Sequence, residues 1–518
     1  MGWAQQSQWL ERRAPLGGAL FMLIFLAITA NFIPPLQAPD EPVHAARSLE
    51  VALGKIQLLE PDASQQAKGL LFVNLDFLYK SIDLAQANST GSQNSYGHQK
   101  ELLKSKKLKE LYSEIPSPGL NLRHQMLGYT GLNYWPQALS MKLGMIFNSS
   151  FLTAYQIGRF LQQLTGAIVF GYCLDAFIRA QCWSGLSGAV ILSLPMSMFL
   201  ISSLSGDAVI LESAILMAIC LEGLLLQKPV LGSKYFSRTA RTNNTVAPYI
   251  ILSLSFAWLA SKASYIPLAA SQAAIAFFHS RKSRLTAAAR FTRGIAASFC
   301  LTILIFSLAW LSYTEAPLRQ VFSTRIPIEL QASRKQLVYS LNGNFIGIIN
   351  NTISRDSQTL ANQAIGVLGS LDKPLISEWL YTAIKILAGC CLIIPILGEP
   401  QRPSSSEVAW NLLIAVVLLV SAILSGYLVL GAIWSTWTSK ASLVVEGLQG
   451  RHLLPLTPIF SVIMSLAGTA KGILPRSNHG FSGLASRSSP RVLAKIILLG
   501  GCMLNFWAYL QAVGHWYL

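Results

Sequence analysis

Two short stretches carry side chains whose types and spacing could do chemistry together. The first is Pro39-Asp40-Glu41-Pro42-Val43-His44, with Arg47 one turn further on. Two carboxylates, an imidazole and a guanidinium thus fall within about two helical turns. Proline on both sides of the acidic pair predicts a helix starting here, with Asp40 as its N-cap and an apolar stripe at Val43, Ala46, Leu49, Leu53 and Ile56. Asp40, His44 and Arg47 then share one face, with Glu41 beside them. One carboxylate is enough for a cap, so the second has no evident structural duty. A helix N-terminus favours the ionised carboxylate, which suits a ligand or an orienting group better than a strong base. A capped amphipathic helix accounts for the same residues without any chemistry.

The second stretch is Glu446-Gly447-Leu448-Gln449-Gly450-Arg451-His452, just ahead of an apolar run. An arginine at the N-terminal end of a helix opposes the helix dipole, so packing alone does not favour it. An anion there would be drawn by Arg451 and by free backbone N–H groups together. An interfacial arginine meeting lipid headgroups is the plainer alternative. Lys262 interrupts the apolar region 248–278, and Asp207 follows the turn Ser205-Gly206. Both also read as solvated loop residues. Arg159, Asp175, Glu212, Glu222 and Lys385 lie deeper, where a charge is costly unless it faces the protein interior. Arg159 is the better functional candidate among these, and Glu222 and Asp175 read as interfacial. No zinc motif, P-loop or nucleophile elbow occurs.

The composition says what must position these groups. Of 518 residues, 52% are hydrophobic and only 12% charged, with a mean hydropathy of +0.45, where soluble domains carry about 25% charged residues. The chain is therefore expected to be a polytopic membrane protein. Its net charge of +17 does not indicate nucleic acid, because the basic residues gather in short loops between apolar spans, the positive-inside pattern. The seven cysteines lie in expected spans or, for Cys182, in a short internal loop, so neither a disulfide framework nor a metal site is indicated.

Spans of about 20 residues can be counted along the chain. The expected fold class is an all-α polytopic membrane protein of about 11 transmembrane helices, with a large first external loop bearing juxtamembrane helices. Residues 1–33 hold an internal N-terminus and an uncleaved first span, and 34–150 form the large external loop. Spans 2–7 occupy 151–313, a second external loop 314–378, and spans 8–11 residues 379–518. Within the first loop, Leu132-Asn133-Tyr134-Trp135-Pro136 and the amphipathic run after it suggest a segment at the membrane interface. Lys228, Lys234, Arg238 and Arg241 before 248–278, and Arg281 to Arg293 after it, put both flanks on one side. That region then crosses twice, with Lys262 at an external tip. In the second loop, Gly366 to Pro374, including Asp372, has the turn chemistry of a chain heading into a span.

Pro39-Asp40-Glu41-Pro42-x-His44, Tyr134-x-Pro136, Gly369-x-Leu371-Asp372 and Gln449-Gly450-Arg451-x-x-x-Pro455, in that order, resemble the pattern of the bacterial domain-of-unknown-function family 2142, whose members are multi-span proteins. His452 departs from it, standing where a tyrosine is expected, as does the lysine-rich segment near 100–109. The family is similar in layout to the GT-C class of membrane glycosyltransferases, a fold-level analogy. The resemblance implies a protein of the bacterial inner membrane. It also implies sugar transfer from a polyprenyl-phosphate donor to a glycan, lipid or protein acceptor at the external face. Asp40 would then orient or deprotonate the acceptor, with His44 orienting Asp40. Glu41 would serve as a second carboxylate or, with Asp40, as a ligand for a divalent cation such as magnesium or manganese. Arg451, Lys262 and Arg159 would hold the lipid phosphate. Arg47, Tyr134, Asp207, Asp372, Gln449 and His452 complete the candidates. Two other readings stay open: a transporter or lipid flippase, and a polysaccharide polymerase or ligase using late-loop cations such as Arg325 and Arg334.

Overall fold

The computed structural model describes residues 3–54, 71–73, 77–78, 80–81, 83, 95–114, 131–226, 228, 246–280, 293–305, 307–308, 344–369, 371–397, 405–438, 442–470 and 489–517. Most basic residues flanking the 246–280 region, and Arg325 and Arg334, lie outside these. The described chain is almost wholly helical. In order it forms α1 (Trp3–Ala30), α2 (Glu41–Ala52), β1 (Leu71–Val73), α3 (Ser95–Ser105), β2 (Tyr112–Glu114), α4 (Trp135–Ile146) and α5 (Phe151–Ile178). Then come α6 (Trp183–Leu192), α7 (Pro195–Ile201), α8 (Gly206–Leu225), α9 (Val246–Ala260), α10 (Ile266–Ser280) and α11 (Arg293–Ile305). The last part holds α12 (Asn344–Gly366), β3 (Val367–Leu368), β4 (Lys373–Pro374), α13 (Glu378–Ile393), α14 (Ser405–Trp437), α15 (Thr457–Ala470) and α16 (Ser489–Tyr517). Both small sheets are antiparallel pairs, β1 with β2 and β3 with β4. The second pair is the turn expected between Gly366 and Pro374.

Seven described helical stretches are long and apolar enough to cross a membrane: 13–30, 151–178, 206–225, 378–396, 407–434, 450–469 and 491–517. The span expected over 186–203 is instead two helices, α6 and α7, bent by 74°. Pro195 has no N–H to continue the ladder and disfavours helical backbone at Leu194, so the break falls there. Asn505 fills it, donating to the Ser193 hydroxyl at 2.9 Å and to the Val190 carbonyl at 3.3 Å. Counting that pair as one span gives eight. The apolar helices α9, α10 and α11 are shorter, and 15 residues reach only about 22 Å. A break in the helix at Lys262, followed by the 3₁₀ turn Ala263–Tyr265, separates α9 from α10, as the interruption in sequence suggested.

Packing surrounds α8, nearly all of whose residues are buried. One apolar cluster joins it to α1, α5, α6, α13 and α16, and another to α9, α10, α14 and α15. At one end of α8, Glu222 is fully enclosed. Its carboxylate accepts from the backbone N–H of Trp183 (3.0 Å) and Ser184 (2.7 Å), and from the Ser184 hydroxyl (2.6 Å). Lys228 and Ser465 complete the set at 2.6 and 3.3 Å. The carboxylate thus caps α6, where anions are favoured, and ties it to α8 and α15. The interfacial reading of Glu222 is corrected: its side chain is enclosed, and a charge with this many donors is stable inside. Glu222→Ala leaves those donors and Lys228 uncompensated, a loss of about 3–5 kcal/mol. Its melting temperature in detergent should fall well below that of the wild-type protein, and Glu222→Gln should fall less.

Candidate functional site

At the start of α2 the two carboxylates divide the work differently from expectation. Asp40 does occupy the N-cap position, but its backbone is left-handed, with φ 60° and ψ 11°, and its side chain makes no cap hydrogen bond. Left-handed backbone costs roughly 1–2 kcal/mol for most residues, and Asp tolerates it better than most. Glu41 takes the structural duty. Its Oε2 accepts the Ala38 N–H at 3.0 Å, while Oε1 accepts the Leu204 N–H and the Tyr155 hydroxyl, each at 2.8 Å. The residue is 1% exposed. Burial pushes the Glu41 carboxyl above its ordinary pKa, opposed by nearby Arg159 and by these hydrogen bonds. Tyr155 extends the link by accepting the Leu36 N–H at 3.1 Å. Glu41 therefore welds the turn before α2 to α5 and to the segment entering α8.

Asp40, released from capping, faces the other way. Its Oδ2 meets Arg451 Nη2 at 2.5 Å across 411 positions of sequence. Arg451 Nε lies 3.4 Å from Asp207 Oδ2, and Asp207 Oδ1 pairs with Lys262 Nζ at 3.0 Å. Four charges from four distant segments thus form the chain Asp40, Arg451, Asp207, Lys262. The Arg451 side chain is only 1% exposed, whereas that of Asp40 is 35% exposed, so the carboxylate is the open end. Burial alone would push the Asp40 carboxyl up, but Arg451, His44 and His452 together hold it below its ordinary range.

Arg451 is presented by a 3₁₀ turn, Gly450–Leu456, pressed against α12. The Gly450 N–H donates to Gln363 at 3.0 Å. A Cβ at position 450 would collide with the Leu360 carbonyl oxygen, so only glycine permits this approach. His44 does not orient Asp40 through a hydrogen bond as expected. Its Nδ1 pairs with the Tyr134 hydroxyl at 2.7 Å, and its buried Nε2 has no partner among the described residues. Burial holds the His44 imidazole near a pKa of about 4, despite the pull of Asp207 and Asp40, so it is neutral at pH 7. Arg451 Nη1, His452 Nδ1 and Gln449 Oε1 are also buried without hydrogen-bond partners among the described residues. Together these atoms leave hydrogen-bonding capacity beside the open carboxylate that a polar ligand can use. The expected cation ligands do not converge, because both Glu41 oxygens are engaged elsewhere. Among the described residues no three His, Cys, Asp or Glu side chains gather as metal ligands.

The sequence profile of DUF2142, described as a predicted membrane protein, matches residues 23–460. The chain belongs to the DUF2142 family. No curated protein and no solved structure matches it.

In this DUF2142 protein the remaining candidates fall in three places. Tyr134 and His452 adjoin the charged chain, and the His452 carbonyl accepts from the Tyr265 hydroxyl at 2.5 Å. Arg159 sits on the Glu41 side. It donates to the carbonyls of Ser202 at 2.5 Å and Ile33 at 3.3 Å, with its guanidinium 5.4 Å from the Tyr155 ring centre. Arg47 pairs with Glu50 at 3.0 Å, and Asp372 with Lys373 at 3.4 Å, both away from Asp40. Tyr155 had no marker in the sequence, since a tyrosine in an apolar span is usually packing. Asp207 was visible only as a charge beside a turn.

This division predicts opposite stabilities for neighbouring residues. Glu41→Ala strands two buried backbone N–H groups at about 1–3 kcal/mol each, so its melting temperature should drop sharply, while Asp40→Asn, whose amide oxygen still accepts from Arg451 with Asp207 left as the counter-ion, should fall less. His44 adds a pH signature. Between pH ~6.5 and about 4 the unfolded chain takes up a proton that the folded imidazole refuses, so stability falls as pH falls across that window. Melting temperatures from pH 7 to 4.5 should decline less steeply in His44→Gln; equal slopes would mean that His44 titrates normally.

Proposed function

We propose that this protein is an integral membrane glycosyltransferase, moving a sugar from a polyprenyl-phosphate donor to an envelope glycan, lipid or protein acceptor. The observation that carries this reading is the pairing of Asp40 with Arg451, an open carboxylate against a buried cation that keeps an unpartnered N–H. In such a transfer the acceptor hydroxyl attacks the anomeric carbon and the bond from that carbon to the phosphate oxygen breaks. The departing lipid phosphate takes the bonding electron pair and passes from one negative charge to two, so it needs cations and no acid. Arg451 and Lys262 are the cations, and Asp207 positions both. Arg159 already donates to two backbone carbonyls, so we leave it out of the phosphate set and assign it with Glu41 to the scaffold.

Asp40 takes the acceptor proton. In the resting protein its bond to Arg451 makes it a weak base. An arriving phosphate competes for the guanidinium and loosens that bond, so the carboxylate gains basicity only when donor is present. This ordering protects the donor from reaction with water before it is seated. The neutral His44, with Nε2 open, positions the acceptor hydroxyl. The external face of the bacterial inner membrane is the place where donor and acceptor meet in this scheme.

A transporter or flippase is the competing reading, and the 74° break between α6 and α7 is the feature that favours it, since broken helices often line transport sites. Asn505 fills that break. Purified protein offered a panel of polyprenyl-phosphate sugars should transfer sugar. Asp40→Asn should lower kcat by about 100-fold or more with little change in donor KM. Arg451→Ala should raise donor KM far more than acceptor KM. Full activity in Asp40→Asn, or lipid movement in proteoliposomes without any transfer, would end the assignment.

A further inference from the structure

The two ends of α8 constrain how deep the site lies. Asp207 and Glu222 are fifteen residues apart on that helix, about 22 Å along its axis and no more than that across the membrane. A hydrocarbon core of ~30 Å does not fit between them, so at least one of these charged layers lies within the apolar slab.

Helix α4 buries one face against α5 and α2 and leaves Trp135, Leu139, Ile146 and, just past its end, Phe147 exposed. Phe147 is 76% exposed. A second ridge runs along α9 at four-residue spacing through the exposed Ile250 and Leu254 to the half-buried Trp258, and its next step is Lys262, also half-buried. The two ridges touch: the rings of Trp135 and Trp258 stack with centres 6.2 Å apart and planes 20° from parallel.

Each ridge also leads into the charged chain. Trp135 directly follows Tyr134, whose hydroxyl meets His44. Trp258 stands one turn before Lys262, the partner of Asp207. Exposed apolar side chains occur along many of the outer helices, but these two ridges lead to Lys262 and the unpartnered Nη1 of Arg451, groups that suit an anion. We propose that the exposed ridges of α4 and α9, meeting at Trp135 and Trp258, form a track for the hydrocarbon chain of the lipid substrate, delivering its phosphate to Lys262 and Arg451. The proposal rests on the lipid-linked donor of the preceding section and adds where its tail lies and which residues sense its length.

Two measurements separate failure of the track from failure of the transfer reading. The first compares a long-chain polyprenyl-phosphate sugar with a short-chain farnesyl analogue as the ratio of kcat/KM values, within each protein preparation. That preference should fall at least tenfold in Trp135→Ala, Trp258→Ala and Leu139→Gln, whereas an unchanged ratio overturns the track. The second needs no turnover and uses wild-type protein in nanodiscs, with a polyprenyl phosphate carrying a diazirine on its chain. Cross-links should map to residues 135–147 and 250–258 and be competed by unlabelled polyprenyl phosphate but not by phosphatidylglycerol. Cross-links elsewhere, or at these segments but equally competed by both lipids, overturn the track even if no sugar transfer is found.

Discussion

A guanidinium enclosed to 1% exposure cannot stand without anions, and the structure around Arg451 is arranged to provide them. Asp207 must arrive from the start of α8, and Asp40 from a loop more than 400 positions away in sequence. The turn holding Arg451 must press close enough to α12 that position 450 has no room for a side chain. The loop before α2 must pass through left-handed backbone so that Asp40 points at Arg451 and away from its own helix. Removing the arginine would therefore affect more than one contact. It would leave the carboxylates of Asp40 and Asp207 facing each other across the place Arg451 had filled, with the strain at Asp40 no longer offset.

That strain also explains why two acidic residues stand side by side. A single residue cannot both close the first turn of α2 and reach across to Arg451, because the two tasks need opposite side-chain directions. Glu41, with one more methylene, reaches back to the turn, where it finds two backbone N–H groups and a hydroxyl. Asp40 is left free to serve as the open carboxylate. The buried member of the pair thus serves the fold, and the exposed one is the carboxylate that the proposed chemistry uses. This separation follows from exposure and hydrogen bonding, without appeal to which residue is the better acid.

Much of this was legible before the fold was known, and the parts that were not share a cause. The membrane class followed from hydropathy, and the importance of Asp40 and Arg451 followed from charges placed where packing alone does not favour them. What local spacing could not carry was direction. Asp40, His44 and Arg47 do lie along α2, yet they turn to Arg451, Tyr134 and Glu50 respectively. Asp40 stands at the N-cap as expected but makes no capping bond, because sequence shows that a helix starts without showing which neighbour supplies the closing acceptor. Charge depth misled in the same way at Glu222: its donors come from α6 and α15 and from Lys228, all brought near only by the fold. The span over 186–203 was read as continuous because its apolar run is unbroken, although Pro195 divides it.

The ends of α8 bring these observations into one constraint. A helix with an enclosed carboxylate near each terminus, in a membrane protein, must supply cations and donors at both levels or leave charges in hydrocarbon. At the Glu222 end the answer is complete: the carboxylate is surrounded and nothing there is left over. At the Asp207 end it is not. Lys262 and Arg451 balance Asp207 and Asp40, but His44 Nε2, His452 Nδ1, Gln449 Oε1 and Arg451 Nη1 remain without hydrogen-bond partners among the described residues. Two layers built from the same kinds of groups on the same helix thus differ in one respect, which is satisfaction. Unpartnered buried polar atoms also occur elsewhere among the described residues, such as Gln99 Oε1 and Asn505 Oδ1, but these four gather beside the open carboxylate. The unfinished layer is the one that carries the open carboxylate and faces the exposed apolar ridges, so a bound polar headgroup is what would complete it.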